Sequence, residues 1–297
     1  MRPLPEPLAR RPFSVATATD LGVPASRLRR GDLDAPFPGV RVPRVLEPDF
    51  ELRCRAYAER MAPTHYFSHL TAARLLGVWL PRSPLPDEQL HVTAPLPARA
   101  PRVPGVIGHQ VDAERATQIV VRGLSASAPL ETVRGLATVL SLDQLVAACD
   151  WLVKRKSPVA GMEDLREMAA DHHGRGARLL RQAVDLSRAG ADSPRETRLR
   201  LLLRSAALPE PEVNGVISRP GASVTRYGDL VFREWGVVVE YEGTHHSEDR
   251  ASYVTDIARY EELSEWRFVR VAKEHFSAPL GIVRRVVTAL RDRGWPG

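Results

Sequence analysis

Lysine is nearly absent: Lys154, Lys156 and Lys273 are the three lysines among 42 basic residues, and the others are arginine. Arginine suits bidentate phosphate contacts, but GC-rich coding gives the same bias, so the shortage alone assigns no partner. Cysteine is scarce as well. Cys54 and Cys149 are the two, far apart and without Cys-x-x-Cys or zinc-ligand spacing. That excludes a disulfide framework and a cysteine metal site, and it reads as two reduced core thiols. No apolar run approaches the roughly 20 residues that a membrane span needs. The opening MRPLPEPLARRPF lacks the apolar segment of a signal peptide. These absences lead to the expectation of a soluble, cytoplasmic protein with no membrane partner.

What is present is a chain of 297 residues, too long for one ordinary core and suited to two or three domains. Hydrophobic residues at 43% and charged residues at 26% exclude disordered and fibrous classes. The net charge of +6 favours a polyanion, nucleic acid first, although 36 interspersed acids make a solvated surface an equally good account.

Four prolines in the first twelve residues suggest a flexible arm over 1–12. SVATATDLGVPASRLRRGD then predicts a short helix, a tight turn at Leu21-Gly22-Val23 and a second helix from Pro24 through Arg30. The proline-broken PFPGVRVPRV fits a wing. In a helix–turn–helix with a wing, Arg27, Arg29 and Arg30 face phosphate or groove. A small helical subdomain with a basic face fits the same residues. Two further helices follow from Asp49 to about Leu80, completing a winged-helix-like domain over 13–88. His65 and His69 stand four apart there, a spacing that can hold a metal on a helix, but no third ligand is near in sequence, and a structural role is the simpler reading. The region 89–190 predicts short strands at LHVTAP, GVIGHQV and TQIVVRG, then four helices between Leu130 and Leu186, forming a mixed middle domain. RAGADSP (Arg188–Pro194) reads as the linker to a last domain over 193–297.

The last third changes character. Ser193, Pro194 and Glu196 start a helix with the serine and glutamate of a capping box. Glu196 shares its face with Leu199, Arg200 and Leu203, so it is either a cap or an acid turned inward. TRYGDLVF and VVVEYEG are strands joined through REWG. A loop of four residues, Arg233–Gly236, pairs Phe232 with Val237, and counting back puts Asp229 opposite Glu240. Like charges directly opposed are destabilising. Glu242, two residues on, points to the same side as Glu240. Three carboxylates there need protonation, solvent or a cation, and hard oxygen donors suit Mg²⁺ or Mn²⁺. An exposed sheet edge with scattered acids is the alternative, against which Val237-Val238-Val239 predicts a central strand.

The pieces SPRETRLRLLLRSAALPEPEVN, GDLVF, VVVEYEGTHH, YVTDIARYEEL and WRFVRVA, spanning about Ser193 to Val287, resemble the PD-(D/E)XK nuclease core. The resemblance is to its very-short-patch-repair (Vsr)-like branch of actinobacterial domains. Upstream, SVATATDLGVPASRLRRGDLDAPFPGVRVPRV and RGLSASAPLETVRGLA resemble, more loosely, an AbiEi-type antitoxin winged helix and the region that follows it. The fold class implied is α+β or α/β, a winged-helix-like and helical N-terminal region joined to a restriction-endonuclease-like αββαβα core. The resemblance implies that Asp229 and Glu240 ligate the metal together with the backbone carbonyl of Tyr241, and that Glu196 completes the site. Glu242 stands where the superfamily has a lysine. In the Vsr-like branch histidines after the strand take over, here His245 or His246 as general acid or base. Arg250 or Arg259 would lie near phosphate. The implied function is a Mg²⁺- or Mn²⁺-dependent endonuclease, with DNA favoured over RNA. The alternative is a DNA-binding antitoxin or transcriptional regulator with a degenerate nuclease fold, working with a partner protein of a toxin–antitoxin or defence system.

Overall fold

The computed structural model describes residues 3–81, 89–218, 224–242 and 263–297, which fall into two units, Met1–Leu136 and Ala137–Gly297. The division lies inside 89–190, the stretch expected to be one middle domain. Its strands pair back onto residues 66–67 and its first helix packs back as well, whereas its later helices pack on one another and, through the helix over 142–152, onto the helix that begins at Pro194.

In the first unit the expected flexible arm is folded from Pro3 onward. Pro5 precedes a short helix α1 (Glu6–Ala9), whose Leu8 is fully buried against Phe13, Ala18, Val23, Leu28 and Leu33. Strand β1 (Phe13–Ser14) leads into α2 (Val15–Asp20), where Ser14 Oγ accepts the Thr17 N–H at 3.0 Å as an N-cap. The second helix expected from Pro24 to Arg30 is instead a single 3₁₀ turn, Arg27–Arg29. The chain leaves it for the hairpin β2 (Leu33–Asp34) and β3 (Val40–Pro43), which with β1 gives a three-stranded sheet β1-β3-β2. The stretch expected as a wing is this hairpin.

Asp49 caps α3 (Phe50–Ala58) by accepting the Leu52 N–H. A five-stranded sheet of order β6-β5-β4-β8-β7 follows, built from β4 (Tyr66–Phe67), β5 (Leu90–Pro95), β6 (Val106–Val111), β7 (Gln118–Val121) and β8 (Leu124–Ser127). Helices α4 (His69–Leu76) and α5 (Pro129–Leu136) complete the unit. Tyr57, Phe67, Leu75, Leu90, Val92 and Ala126 form its core.

The second unit starts with α6 (Leu142–Leu152), α7 (Met162–Ala170), α8 (Ala177–Leu186) and α9 (Pro194–Ser205). RAGADSP is not a free linker. Ala191 is buried, Arg188 N–H donates to Asp150 Oδ1 (2.9 Å), and Gly190 N–H donates to the Val153 carbonyl (3.0 Å). The four-stranded sheet β12-β11-β10-β9 comprises β9 (Glu212–Val216), β10 (Tyr227–Phe232), β11 (Val237–Glu242) and β12 (Arg267–Ala272). Strand β9 is an addition to the expected αββαβα order. β11 runs antiparallel to β10 and parallel to β12, so Val237-Val238-Val239 is central and fully buried. Val237 and Val239 face α9 and the last helix α10 (Pro279–Arg291), with Leu199, Leu203, Val269 and Val286, while Val238 meets Ile217, Val231 and Leu263 on the other side. The helix expected from Ser247 lies outside the described residues. Cys54 and Cys149 are both buried and free, with burial raising each thiol to about 12. Among the described residues no helix is long and apolar enough to cross a membrane.

The joint between α6 and α9 is a fully buried ion pair. Arg200 Nη2 donates to Asp150 Oδ2 at 2.9 Å, and Thr197 Oγ1 donates to the same oxygen at 2.8 Å. Asp150→Ala leaves the buried Arg200 guanidinium with only the looser Glu210 carboxylate, 3.6 Å from Nη1, a change that costs on the order of 3–5 kcal/mol. Urea unfolding of the full chain is expected to show that loss, whereas a change of about 1 kcal/mol or less, as an exposed pair gives, contradicts the assignment.

Candidate functional site

The predicted acids come from three elements of the second unit, Glu196 from α9, Asp229 from β10, and Glu240 and Glu242 from β11. The register Leu230↔Val239, Val231↔Val238 and Phe232↔Val237 is the one the four-residue loop predicts. Continued by one step it sets Asp229 against Glu240. The strands approach closely here, since a Cβ on Gly228 would lie 2.5 Å from Val238 Cγ1. Glycine is therefore required next to Asp229.

Asp229 is half-buried, and its Oδ2 accepts the Tyr241 N–H at 2.7 Å. Burial raises its carboxyl to about 7, and the charges of Glu196, Glu240 and Asp192 push the same way against the Tyr241 hydrogen bond. The sequence argument that like charges oppose each other at this point thus has a physical counterpart: at neutral pH a substantial fraction of Asp229 holds its proton.

Glu196 is 7% exposed, and burial raises its carboxyl too. The capping box is half formed, because Ser193 Oγ accepts the Glu196 N–H (3.2 Å) while the glutamate side chain turns elsewhere. Its Oε2 accepts the Asp192 N–H and Asn214 Nδ2, both at 2.8 Å. Asn214 stands on β9 with φ +47 and also donates to the Gly190 carbonyl at 2.9 Å. A left-handed conformation is tolerated best by asparagine among non-glycine residues. The asparagine interrupting EVNGV was the signal available in sequence, and neither it nor Asp192 was singled out.

Glu240 is half-buried. Glu242 is apart from this group, exposed at the end of β11 with Oε1 3.3 Å from Arg270 Nε. Tyr241 contributes its backbone, while its ring lies 5.0 Å beneath the Arg195 guanidinium. Arg195 was not anticipated either. His245, His246, Arg250 and Arg259 lie outside the described residues.

The oxygen donors are of the hard type that Mg²⁺ or Mn²⁺ takes. They are nevertheless spread out: among the described residues the only three potential ligand groups mutually within 4.8 Å belong to His69, His91 and His109, not to these acids. At the N-terminus, Arg27 is a correction to the expected nucleic-acid face. It is 6% exposed, and its guanidinium donates to both carboxylate oxygens of Asp32, at 2.9 and 2.7 Å. Arg29 and Arg30 are exposed.

No protein-family model and no curated protein matches the chain. Among solved structures, the crystal structure of the RV2827C protein from Mycobacterium tuberculosis is similar at 19% identity, over 72% of this chain and 83% of that one, with a TM-score of 0.39. That likeness is too distant to carry an argument about fold or function.

The raised Asp229 carboxyl has a pH consequence. Below its unfolded value of 3.8 the group is protonated in both states; as pH rises toward about 7 the unfolded chain ionises first, so stability falls across that window. Asp229→Asn removes the penalty. Without divalent cations the variant is expected to exceed wild type in stability at pH 8 by up to a few kcal/mol, and to lose this advantage at pH 4. Parallel stability curves from pH 4 to pH 8 would contradict the raised value.

Proposed function

We propose that the second unit is a metal-dependent endonuclease that hydrolyses phosphodiesters in nucleic acid, with DNA the favoured substrate. The observation that carries this reading is that Glu196, Glu240 and Asp192 lie near enough to half-buried Asp229 for their charges to add to burial in raising its carboxyl to about 7. Such crowding is costly to folding unless it serves a charged ligand.

In this reading Asp229 and Glu240 hold a divalent cation together with the Tyr241 carbonyl. Glu196, held by Asn214 and the Asp192 N–H, acts through water. Magnesium normally keeps several waters, which suits carboxylates that are not drawn tightly together. A bound Mg²⁺ or Mn²⁺ supplies a water of lowered pKa and neutralises charge on the scissile phosphate. The Tyr241 N–H holds Asp229 Oδ2 and so restrains its rotamer. Arg195, resting on the Tyr241 ring beside these acids, is placed to meet phosphate. His245 or His246 moves the proton, and Arg250 and Arg259 add phosphate contacts. The fold proposed is the Vsr-like PD-(D/E)XK core, with β9 beside the motif strands, and a winged-helix-like N-terminal domain over 13–88.

One observation favours a second reading. Glu242, where the superfamily carries lysine, is paired with Arg270 instead. On that reading the second unit is an inactive module and the chain is a DNA-binding antitoxin-type regulator, with Arg29 and Arg30 toward DNA and a partner protein of a toxin–antitoxin or defence system.

Purified full-length protein incubated with labelled plasmid and total RNA, with Mg²⁺, Mn²⁺ or EDTA, separates the two. Metal-dependent cleavage is expected, abolished in Asp229→Asn and Glu240→Gln and lowered on the order of 10- to 100-fold in Glu196→Gln, as for a group acting through the first ligand shell. DNA binding with no cleavage under any metal, equal in wild type and Asp229→Asn, would assign the regulator instead.

A further inference from the structure

The spacing of His65 and His69 suggested a helical pair, but helix α4 begins at His69 and leaves His65 on the preceding turn. His69 meets different histidines. β5 and β6 are parallel, with His91 opposite Ile107 and Thr93 opposite His109. This places His91 and His109 on one side of the sheet, one pleat apart, beneath the start of α4. His91 Nδ1 lies 3.0 Å from His109 Nε2, and the His69 ring stacks on that of His109 with centroids 3.7 Å apart.

We propose that His69, His91 and His109 form a binding site for one divalent transition-metal ion of the zinc class, with water in the fourth position. The potential ligand atoms of the three residues lie within 4.8 Å of one another. A tetrahedral ion with Zn–N bonds of about 2.0–2.1 Å sets its donors roughly 3.3 Å apart. The His91–His109 pair already stands near that spacing, so closing the set takes ring rotation. Imidazole nitrogens select zinc, cobalt, nickel or copper, not magnesium or calcium.

Further features fit a ligand role. Burial and the neighbouring imidazoles hold His69 well below the usual histidine range and His109 at about 4, with no carboxylate among the groups that shift them. Ser68 Oγ, which accepts from Thr93 Oγ1 at 2.8 Å, lies 2.9 Å from His69 Nδ1. With its proton on Nδ1, His69 donates to Ser68 and presents Nε2, the kind of outer partner that orients a metal-ligating histidine. His69 also holds φ +48, a left-handed backbone that a side chain rarely adopts. On its other flank Gly135 of α5 leaves the room its ring occupies, since a Cβ there would lie 3.1 Å from the imidazole. His109 is half-buried on the edge strand β6, which gives an ion a way in.

The site is separate from the acids of the second unit, and its test is arranged accordingly. Untagged full-length protein is stripped with EDTA and titrated with Co²⁺. One equivalent is expected to bind with the intense visible absorption of tetrahedral cobalt, and to be displaced by Zn²⁺. His109→Gln and His91→Gln are expected to weaken binding on the order of 100-fold or more, beyond the usual effect of an outer-shell change. Asp229→Asn is expected to leave the cobalt spectrum unchanged. Circular dichroism of the metal-free variants checks that they fold. Absence of a stoichiometric tetrahedral spectrum in wild type overturns the proposal regardless of the variants, as does an unaltered spectrum in both folded histidine variants.

Discussion

The buried pair of Asp150 and Arg200 is the constraint on which the second unit is arranged. Neither side chain has solvent to lean on, and each is held by several groups instead. Burial raises the Asp150 carboxyl, while Arg200, the Arg188 N–H and Thr197 pull it back. One carboxylate therefore holds α6, α9 and the turn after α8 together. That turn ends at Asp192, whose N–H holds Glu196, and α9 presents Glu196 one turn before Arg200. The position of an acid in the candidate site is thus inherited from an ion pair buried in the helical layer. The helices over 142–186 are part of the scaffold of the acidic site, not a domain beside it.

A second consequence follows from the sheet. β11 is covered on both faces, so its three valines leave no freedom in register. Register and loop length together bring Asp229 and Glu240 to one place. Asn214 then links β9 to α9 through Glu196, so the added strand closes the group from the other edge. Burial, hydrogen bonding and like charge act on the same carboxylates in opposite directions, and the sum leaves Asp229 near neutrality. In the proposed reading a divalent cation would offset that repulsion.

Much of this was legible in sequence, for identifiable reasons. The apolar run Val237–Val239 and the length of Arg233–Gly236 contain the central strand and its pairing. The capping residue Ser193, followed by Pro194, marks a helix start that the structure keeps. Where the reading failed, long-range packing outweighed local composition. β4 is two residues long and has no periodicity to detect. RAGADSP has the composition of a linker, yet its backbone is held by Asp150 and Val153 from a distant helix. Arg27 looked like a surface cation until Asp32, five residues on, proved to be its partner. The three histidines come from 69, 91 and 109, and no spacing rule joins them; the parallel register of β5 and β6 brings His91 and His109 together, and the start of α4 adds His69.

The central claim is that the acids of the second unit hold a hard divalent cation, and its most direct test is anomalous diffraction from crystals of the full chain equilibrated with Mn²⁺. The account predicts a single strong peak in the second unit, bounded by the carboxylates of Asp229 and Glu240 and the carbonyl of Tyr241, and missing from Asp229→Asn crystals. Saturating Mn²⁺ with no peak between Asp229 and Glu240 would contradict it.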